Sequence, residues 1–302
     1  MSQKSSTNKD AQIRRGGWRR LLLRVTVILF LSYSGIVAYF SYFENDLVYP
    51  GQGIEAGDWD PPFAFEDVVF QSADGTKLHG WFIPLEQAQR NIVVFHGNAE
   101  NVATTSSNYA KELGESLNAN VFVFDYRGFG KSVGQPFERV VVEDGVAAVQ
   151  WLSNRLNIKP GEMIFYGSSL GGGVAVSVAS QTGCKMLLLD RTFGDICDPA
   201  RSSYPWLPIQ AIMRNKFDSI SKIKDMTCPI FVSHFDADNL IPYSSAERLY
   251  NAIEHDKKSF LKIEGDDHWA RLPNSYWPKL VQFVDMYDPV EVDVKETDAP
   301  KN

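Results

Sequence analysis

Residues 163–173 read Met163-Ile164-Phe165-Tyr166-Gly167-Ser168-Ser169-Leu170-Gly171-Gly172-Gly173. The apolar run Met163–Tyr166 leads into Gly167-Ser168-Ser169-Leu170-Gly171, a G-x-S-x-G pentapeptide centred on Ser169. Such a pentapeptide predicts a chain that leaves a buried strand, turns sharply at the serine and enters a helix. Gly167 and Gly171 stand where a β-carbon would collide with the turned backbone. The serine is forced into a sparsely populated conformation, at a cost of about 1–3 kcal/mol. Its hydroxyl is thereby lifted out of the sheet into a cleft. Val174-Ala175-Val176-Ser177-Val178-Ala179, directly after the glycines, has the composition of a helix.

A serine hydroxyl is a poor nucleophile at neutral pH and needs a neighbouring base. Histidine suits that role, with an ordinary pKa of about 6.5. The chain has five histidines, at 79, 96, 234, 255 and 268. After an elbow of this kind the acid and then the histidine follow in chain order, which leaves His234, His255 and His268. His268 follows the apolar stretch Leu261-Lys262-Ile263 and the polar Glu264-Gly265-Asp266-Asp267, where a base at a strand's carboxyl end belongs. His255, in Glu254-His255-Asp256-Lys257-Lys258, reads as a solvated helix end. His234 closes the strand-like Pro229-Ile230-Phe231-Val232-Ser233 and reads as a satisfied near-core residue.

The acid that orients the imidazole should lie in His234-Phe235-Asp236-Ala237-Asp238-Asn239-Leu240-Ile241-Pro242, where Asp236 and Asp238 compete. An Asp-x-Asp pair also invites a cation, but no other ligand cluster accompanies it. Neither a metal nor a cofactor is expected. Donors for a tetrahedral oxyanion are expected from the backbone of Leu170 and of Asn98, with Ala99 as the alternative. Asn98 lies in His96-Gly97-Asn98-Ala99-Glu100, directly after the strand-like Asn91–Phe95.

Strand-like runs recur near 65–71, 78–83, 92–95, 121–124, 163–166, 186–189, 230–233 and 260–263. Helical patterns lie near 103–113, 139–156, 170–180, 244–253 and 276–286. This alternation predicts an α/β fold, a mostly parallel sheet with helices on both faces. Runs such as Ile92-Val93-Val94-Phe95 suit strands buried on both sides. Residues 192–219 break the rhythm and read either as a small cap over the cleft, with an apolar wall for an acyl group, or as a packed surface excursion. Gly130-Lys131-Ser132 imitates the end of a phosphate-binding loop. Asp125 occupies the position that motif needs as glycine, so a tight turn is expected there instead.

Together these segments resemble the α/β-hydrolase superfamily, from about Leu47 to about Val284. More narrowly they are similar to the membrane-anchored ABHD-type serine hydrolases, the branch often labelled S9-like. The resemblance is carried by Phe95-His96-Gly97-Asn98-Ala99-Glu100-Asn101, Asp125-Tyr126-Arg127-Gly128-Phe129-Gly130-Lys131-Ser132, Gly167-Ser168-Ser169-Leu170-Gly171-Gly172, Tyr204-Pro205-Trp206-Leu207-Pro208, Asp238-Asn239-Leu240-Ile241-Pro242 and Gly265-Asp266-Asp267-His268. It implies Ser169 as nucleophile, Asp238 as acid with Asp236 as fallback, and His268 as base. It also implies hydrolysis of carboxylic esters or thioesters, with small-molecule or lipid-like acyl substrates; the alternatives are a peptidase on the same residues and a catalytically silent binding module tethered to the membrane. Phe235 departs from the pattern, standing where the family often has glycine.

Residues Val25–Phe43 carry no charge over 19 positions, about 28 Å of helix, enough to cross a ~30 Å hydrocarbon core. Lys4, Lys9, Arg14, Arg15, Arg19, Arg20 and Arg24 precede the run; Glu44 and Asp46 follow it. This asymmetry keeps a basic arm (1–24) in the cytoplasm and exports the domain beyond the span. A cleaved signal peptide is the alternative reading, disfavoured by the length of the run. The expected organisation is therefore arm 1–24, signal-anchor 25–43, catalytic domain 44–287 and disordered tail 288–302. Residues 1–43 hold seven of the 30 basic and one of the 37 acidic residues, so the remainder carries a net charge of −13. Such a domain disfavours nucleic acid as a partner. Cys184, Cys197 and Cys228 form no zinc or disulfide framework.

Overall fold

The computed structural model describes residues 4–265 and 267–290. Its eight strands are β1 (Glu66–Gln71), β2 (Lys77–Ile83), β3 (Arg90–Phe95), β4 (Ala119–Phe124), β5 (Ile164–Ser168), β6 (Met186–Asp190), β7 (Ile230–Phe235) and β8 (Lys258–Ile263). They form one sheet in the order β1-β2-β4-β3-β5-β6-β7-β8. β2 pairs antiparallel with β1 and β4, and all pairings from β4 to β8 are parallel. The expected α/β architecture is the observed one.

The sheet has a hydrophobic core on each face because the strand side chains alternate. Val93 and Phe95 of β3 join Phe122, Phe124, Phe165, Leu187 and Leu189 on one face, against helices Glu138–Leu156 and Leu170–Thr182. Ile92 and Val94 join Val121, Val123, Ile164, Met186 and Leu188 on the other, against Leu113, Leu117, Leu280 and Phe283. Each such side chain, fully buried, contributes about 1.5–3 kcal/mol. Strands covered on both sides read as unbroken apolar runs, which is why the sequence located them. The helix expected near 103–113 is instead a short helix, Val102–Thr105, a π turn, Ser106–Ala110, and a second helix, Lys111–Leu117.

The N-terminal helix runs from Lys4 to Tyr42, so the basic arm continues the apolar run as one helix. Its segment Gly17–Tyr42 is long and apolar enough to span a membrane, and none of it is buried in the protein. Just beyond its end, the short helix Glu44–Val48 docks on the domain. The Glu44 carboxylate accepts bonds from the backbone N–H groups of Arg214 and Asn215 and from the Arg214 guanidinium, at 2.7–2.8 Å. Residues 192–219 fold into helices Cys197–Ser203 and Ile209–Ile212 joined by a turn.

At the other end, Asp288 pairs with Lys185 at 2.6 Å and with Arg90 at 3.2 Å. The ordered chain therefore continues past 287; the rest of the expected tail, 291–302, lies outside the described residues. Cys184 and Cys228 face each other with Sγ atoms 3.5 Å apart. Cys197 is buried, and burial pushes its thiol up to about 12.

Candidate active site at the carboxyl edge of the sheet

Parallel strands end on one edge, and the loops leaving that edge carry the candidate residues. β5 delivers Ser169. Its φ of +53° and ψ of −121° are those of a sharply turned residue. A β-carbon on Gly171 would lie 1.9 Å from the Phe95 carbonyl oxygen, and one on Gly167 would lie 2.6 Å from that of Gly171. The glycines of the pentapeptide are thus required by close approach of backbone, as their spacing implied. Gly172 abuts Thr192, whose hydroxyl donates to the Ser169 carbonyl at 2.8 Å. The Ser169 N–H donates to the Asp190 carbonyl at 2.9 Å.

The loop after β8 brings the His268 Nε2 to 2.9 Å from Ser169 Oγ. The loop after β7 brings Asp238 Oδ2 to 2.7 Å from His268 Nδ1. A carboxylate only accepts, so Nδ1 carries the proton and Nε2 is left to accept from the serine. The other Asp238 oxygen accepts the backbone N–H groups of Leu240 and Ile241 at 2.9 and 2.8 Å. Burial raises the Asp238 pKa, but the bond from His268, its charge and the Ile241 N–H outweigh it, and the carboxyl sits below its ordinary value. Asp236 faces elsewhere. It accepts the Gly265 N–H at 2.9 Å and pairs with Lys262 at 2.9 Å.

The other histidines have different work. His234 is fully buried, with Nε2 donating to the Ile241 carbonyl at 3.0 Å. Burial lowers its pKa, so it is a neutral prop for the acid loop. His96 is likewise buried, its Nδ1 donating to the Gly97 carbonyl at 2.8 Å. His79 lies between Asp67 and Asp125 at 2.8 and 3.0 Å. Burial opposes its charge, but the bonds to Asp125 and Asp67 prevail and raise its pKa. His255, expected on the surface, is half-buried beyond the helix Tyr243–Asn251.

Arg191 was not legible as a site residue. It follows β6 with φ +48° and pairs with Asp190 at 2.7 Å. Its Nη1 donates to the carbonyls of His268 and Ala270 at 3.1 and 2.8 Å. Its guanidinium lies 5.8 Å from the centre of the Phe235 ring. The Phe235 that departs from the family pattern is thus a buried strand-end residue beneath the arginine that holds the His268 loop.

Ser169, Leu170 and Asn98 line one cavity of about 240 Å³. The helix containing Leu170 begins there, so its first N–H groups lack intrahelical partners. The remaining wall is largely apolar: Phe193, Leu207, Ile209 and Met213 from residues 192–219, with Ile241. Phe40 and Val48, from the N-terminal helix and the short helix after it, complete the wall. Residues 192–219 therefore roof the cavity that Ser169 enters. Among the described residues no group of three or more His, Cys, Asp and Glu side chains is placed to hold a metal ion.

Fold and site have the form of an α/β hydrolase, and comparison with known proteins agrees. Residues 86–188 match the family model Hydrolase_4, described as serine aminopeptidase, S33. The protein YfhR of Escherichia coli is 32% identical over 281 residues, covering 86% of this chain and 95% of its own. The lysophosphatidylserine lipase ABHD12 of Danio rerio is 26% identical over 234 residues, 70% of this chain and 59% of that protein. Among solved structures, the Pyrococcus furiosus esterase Pf2001 superposes with a TM-score of 0.64 at 21% identity, over 76% of this chain and 96% of the esterase. The chain belongs to the α/β-hydrolase superfamily.

Proposed function

We propose that this protein is a membrane-anchored serine hydrolase that cleaves carboxylic esters or thioesters through an acyl-enzyme. The observation that carries the reading is the continuous chain from Ser169 Oγ through the His268 ring to the Asp238 carboxylate, with links of 2.9 and 2.7 Å. In the proposed cycle Ser169 Oγ attacks the substrate carbonyl carbon and passes its proton to His268 Nε2. Asp238 holds the ring and stabilises the imidazolium. The backbone N–H groups of Leu170 and Asn98 meet the oxyanion, each such donor being worth about 3–4 kcal/mol of barrier. His268 then protonates the departing alkoxide or thiolate. A water gives its proton to His268, attacks the acyl carbon, and the carboxylic acid leaves as the serine recovers its proton.

The apolar cavity favours an acyl chain over a peptide, although the S33 peptidase description keeps a peptidase on the same residues as the second reading. The apolar helix and the basic residues before it support an anchor with its N-terminus in the cytoplasm and the domain exported. Arg214 holds both the Ser41 carbonyl in the helix's last turn and Glu44 just past it, which favours a retained anchor over a cleaved signal. A fluorophosphonate probe is expected to label Ser169 and to leave the Ser169→Ala variant unlabelled. Persistent labelling of that variant removes the assignment, and faster cleavage of peptides than of acyl esters moves the reading to a peptidase.

A further inference from the structure

Granted the acyl-transfer reading, on which the substrate's chemistry rests, we infer that the turn and helix at residues 204–213 form a second membrane-contact element. The cavity beside Ser169 would then receive its acyl chain from the bilayer rather than from water.

The segment Tyr204-Pro205-Trp206-Leu207-Pro208-Ile209-Gln210-Ala211-Ile212-Met213 contains no acidic or basic residue. Pro205, Trp206 and Pro208 are exposed, and Trp206 shows 51% of its surface. An exposed tryptophan between two prolines is poorly placed for water and well placed at the boundary between headgroups and acyl chains.

The segment touches the apolar helix at a measurable depth. The Tyr33 hydroxyl donates to the Trp206 carbonyl at 3.0 Å. Two residues from the helix's end, the Phe40 ring meets those of Tyr204 and Trp206 edge-on, at 4.9 and 6.0 Å. The candidate span Gly17–Tyr42, counted generously to include Arg19, Arg20 and Arg24, has 26 residues, about 39 Å, some 9 Å more than a ~30 Å hydrocarbon core. Tyr33 lies nine residues before Tyr42, about 14 Å. Even with all the excess length placed on the domain's side, Tyr33 remains about 5 Å inside the hydrocarbon. Tilting draws more of the helix in and deepens it further.

A phenol at that depth needs a partner, and so does a carbonyl. Tyr33 and Trp206 satisfy each other. Tyr33, too deep to act as an interfacial anchor, is therefore explained by the segment it binds.

The cavity joins the two sides of this contact. Its wall includes Phe40 from the helix, Tyr204, Leu207, Ile209 and Ile212 from the segment, and Ser169. An acyl chain leaving the bilayer beside Phe40 reaches the serine along apolar side chains. The substrate class this defines is an acyl ester or thioester whose chain resides in the membrane.

The test uses the full chain in lipid nanodiscs, with Trp18→Phe to remove the other tryptophan near the membrane. Comparison with Trp18→Phe/Trp206→Phe isolates the Trp206 emission. Quenching of that emission by lipids brominated on their acyl chains, with little quenching by aqueous iodide, is the expected result. Quenching by iodide and not by brominated lipid overturns the membrane contact. In a second measurement, Trp206→Glu is expected to lower kcat/KM on a bilayer-embedded long-chain ester on the order of tenfold more than on a water-soluble butyrate ester. Equal effects on both overturn the bilayer route. Fluorophosphonate labelling of Ser169 separates the two levels. Labelling with Trp206 in water leaves the hydrolase reading standing and removes this inference. Trp206 in lipid with Ser169 unlabelled removes the acyl substrate and keeps the contact.

Discussion

A single carboxylate sets both the tautomer of His268 and a pH-dependent part of stability. Asp238 is bonded by His268 Nδ1 and by two backbone N–H groups. Asp238→Asn presents an amide that can donate to the ring, so the wrong tautomer faces Ser169. A fall in kcat on the order of 10³–10⁴-fold is expected, read from ester hydrolysis at pH 7. Because the folded pKa of Asp238 is depressed, its ionised form stabilises the fold above the unfolded value of about 3.9. That contribution is lost as pH falls through the lower folded value. Urea denaturation should therefore show the stability gap between wild type and Asp238→Asn narrowing below about pH 4. His79 has the opposite sign. Its pKa is raised between Asp125 and Asp67, so its contribution is complete below about 6.5 and disappears as pH rises through the folded value. His79→Gln should cost more stability at pH 5.5 than at pH 8.5.

Elements hold these residues in place, and their faults should separate stability from turnover. Gly171→Ala drives a β-carbon into the Phe95 carbonyl, at 1.9 Å. Neither backbone segment can yield, since one is β3 and the other the first turn of a helix. A loss of roughly 3 kcal/mol or more is expected, seen as a lower urea midpoint or failure to fold. Arg191 acts differently. It touches no reacting atom but holds the His268 and Ala270 carbonyls, which makes it a positioning residue. Arg191→Lys keeps the charge beside Asp190 and loses the planar fork that reaches both carbonyls. The expected signature is a lower kcat at nearly constant KM, with Ser169 still labelled more slowly by fluorophosphonate. A change confined to KM would exclude that role.

At the scale of the molecule, charge and hydropathy divide the chain into a positive arm, an apolar helix and an acidic remainder, residues 44–302, of net charge −13. In sealed membranes carrying the full chain, protease added from the non-cytoplasmic side should digest the domain. Protease added from the cytoplasmic side should trim only the first residues. Protection of the domain from outside would reverse the proposed orientation. The domain is also not independent of its helix, because Phe40 walls the cavity and Glu44 is held by Arg214 and Asn215.

The linear chain determined what local physics can enforce. Short apolar runs located the inner strands, since strands buried on both faces need nothing but apolar residues, while the edge strands β1 and β8 carry polar residues as well. The glycines around Ser169 announced the turn, because only the missing β-carbons permit it. The order of Ser169, Asp238 and His268 was readable from strand ends followed by polar loops, once family resemblance chose Asp238 over Asp236. What tertiary structure alone decided is everything that depends on distance through space. Asp236 turns to Gly265 and Lys262 while Asp238 turns to His268, though the two lie only two residues apart. Arg191, 77 residues before His268, becomes its support, and Tyr33 meets a carbonyl 173 residues away. No periodicity or spacing encodes such pairs, because they arise only when packing of the whole sheet brings remote loops to one edge.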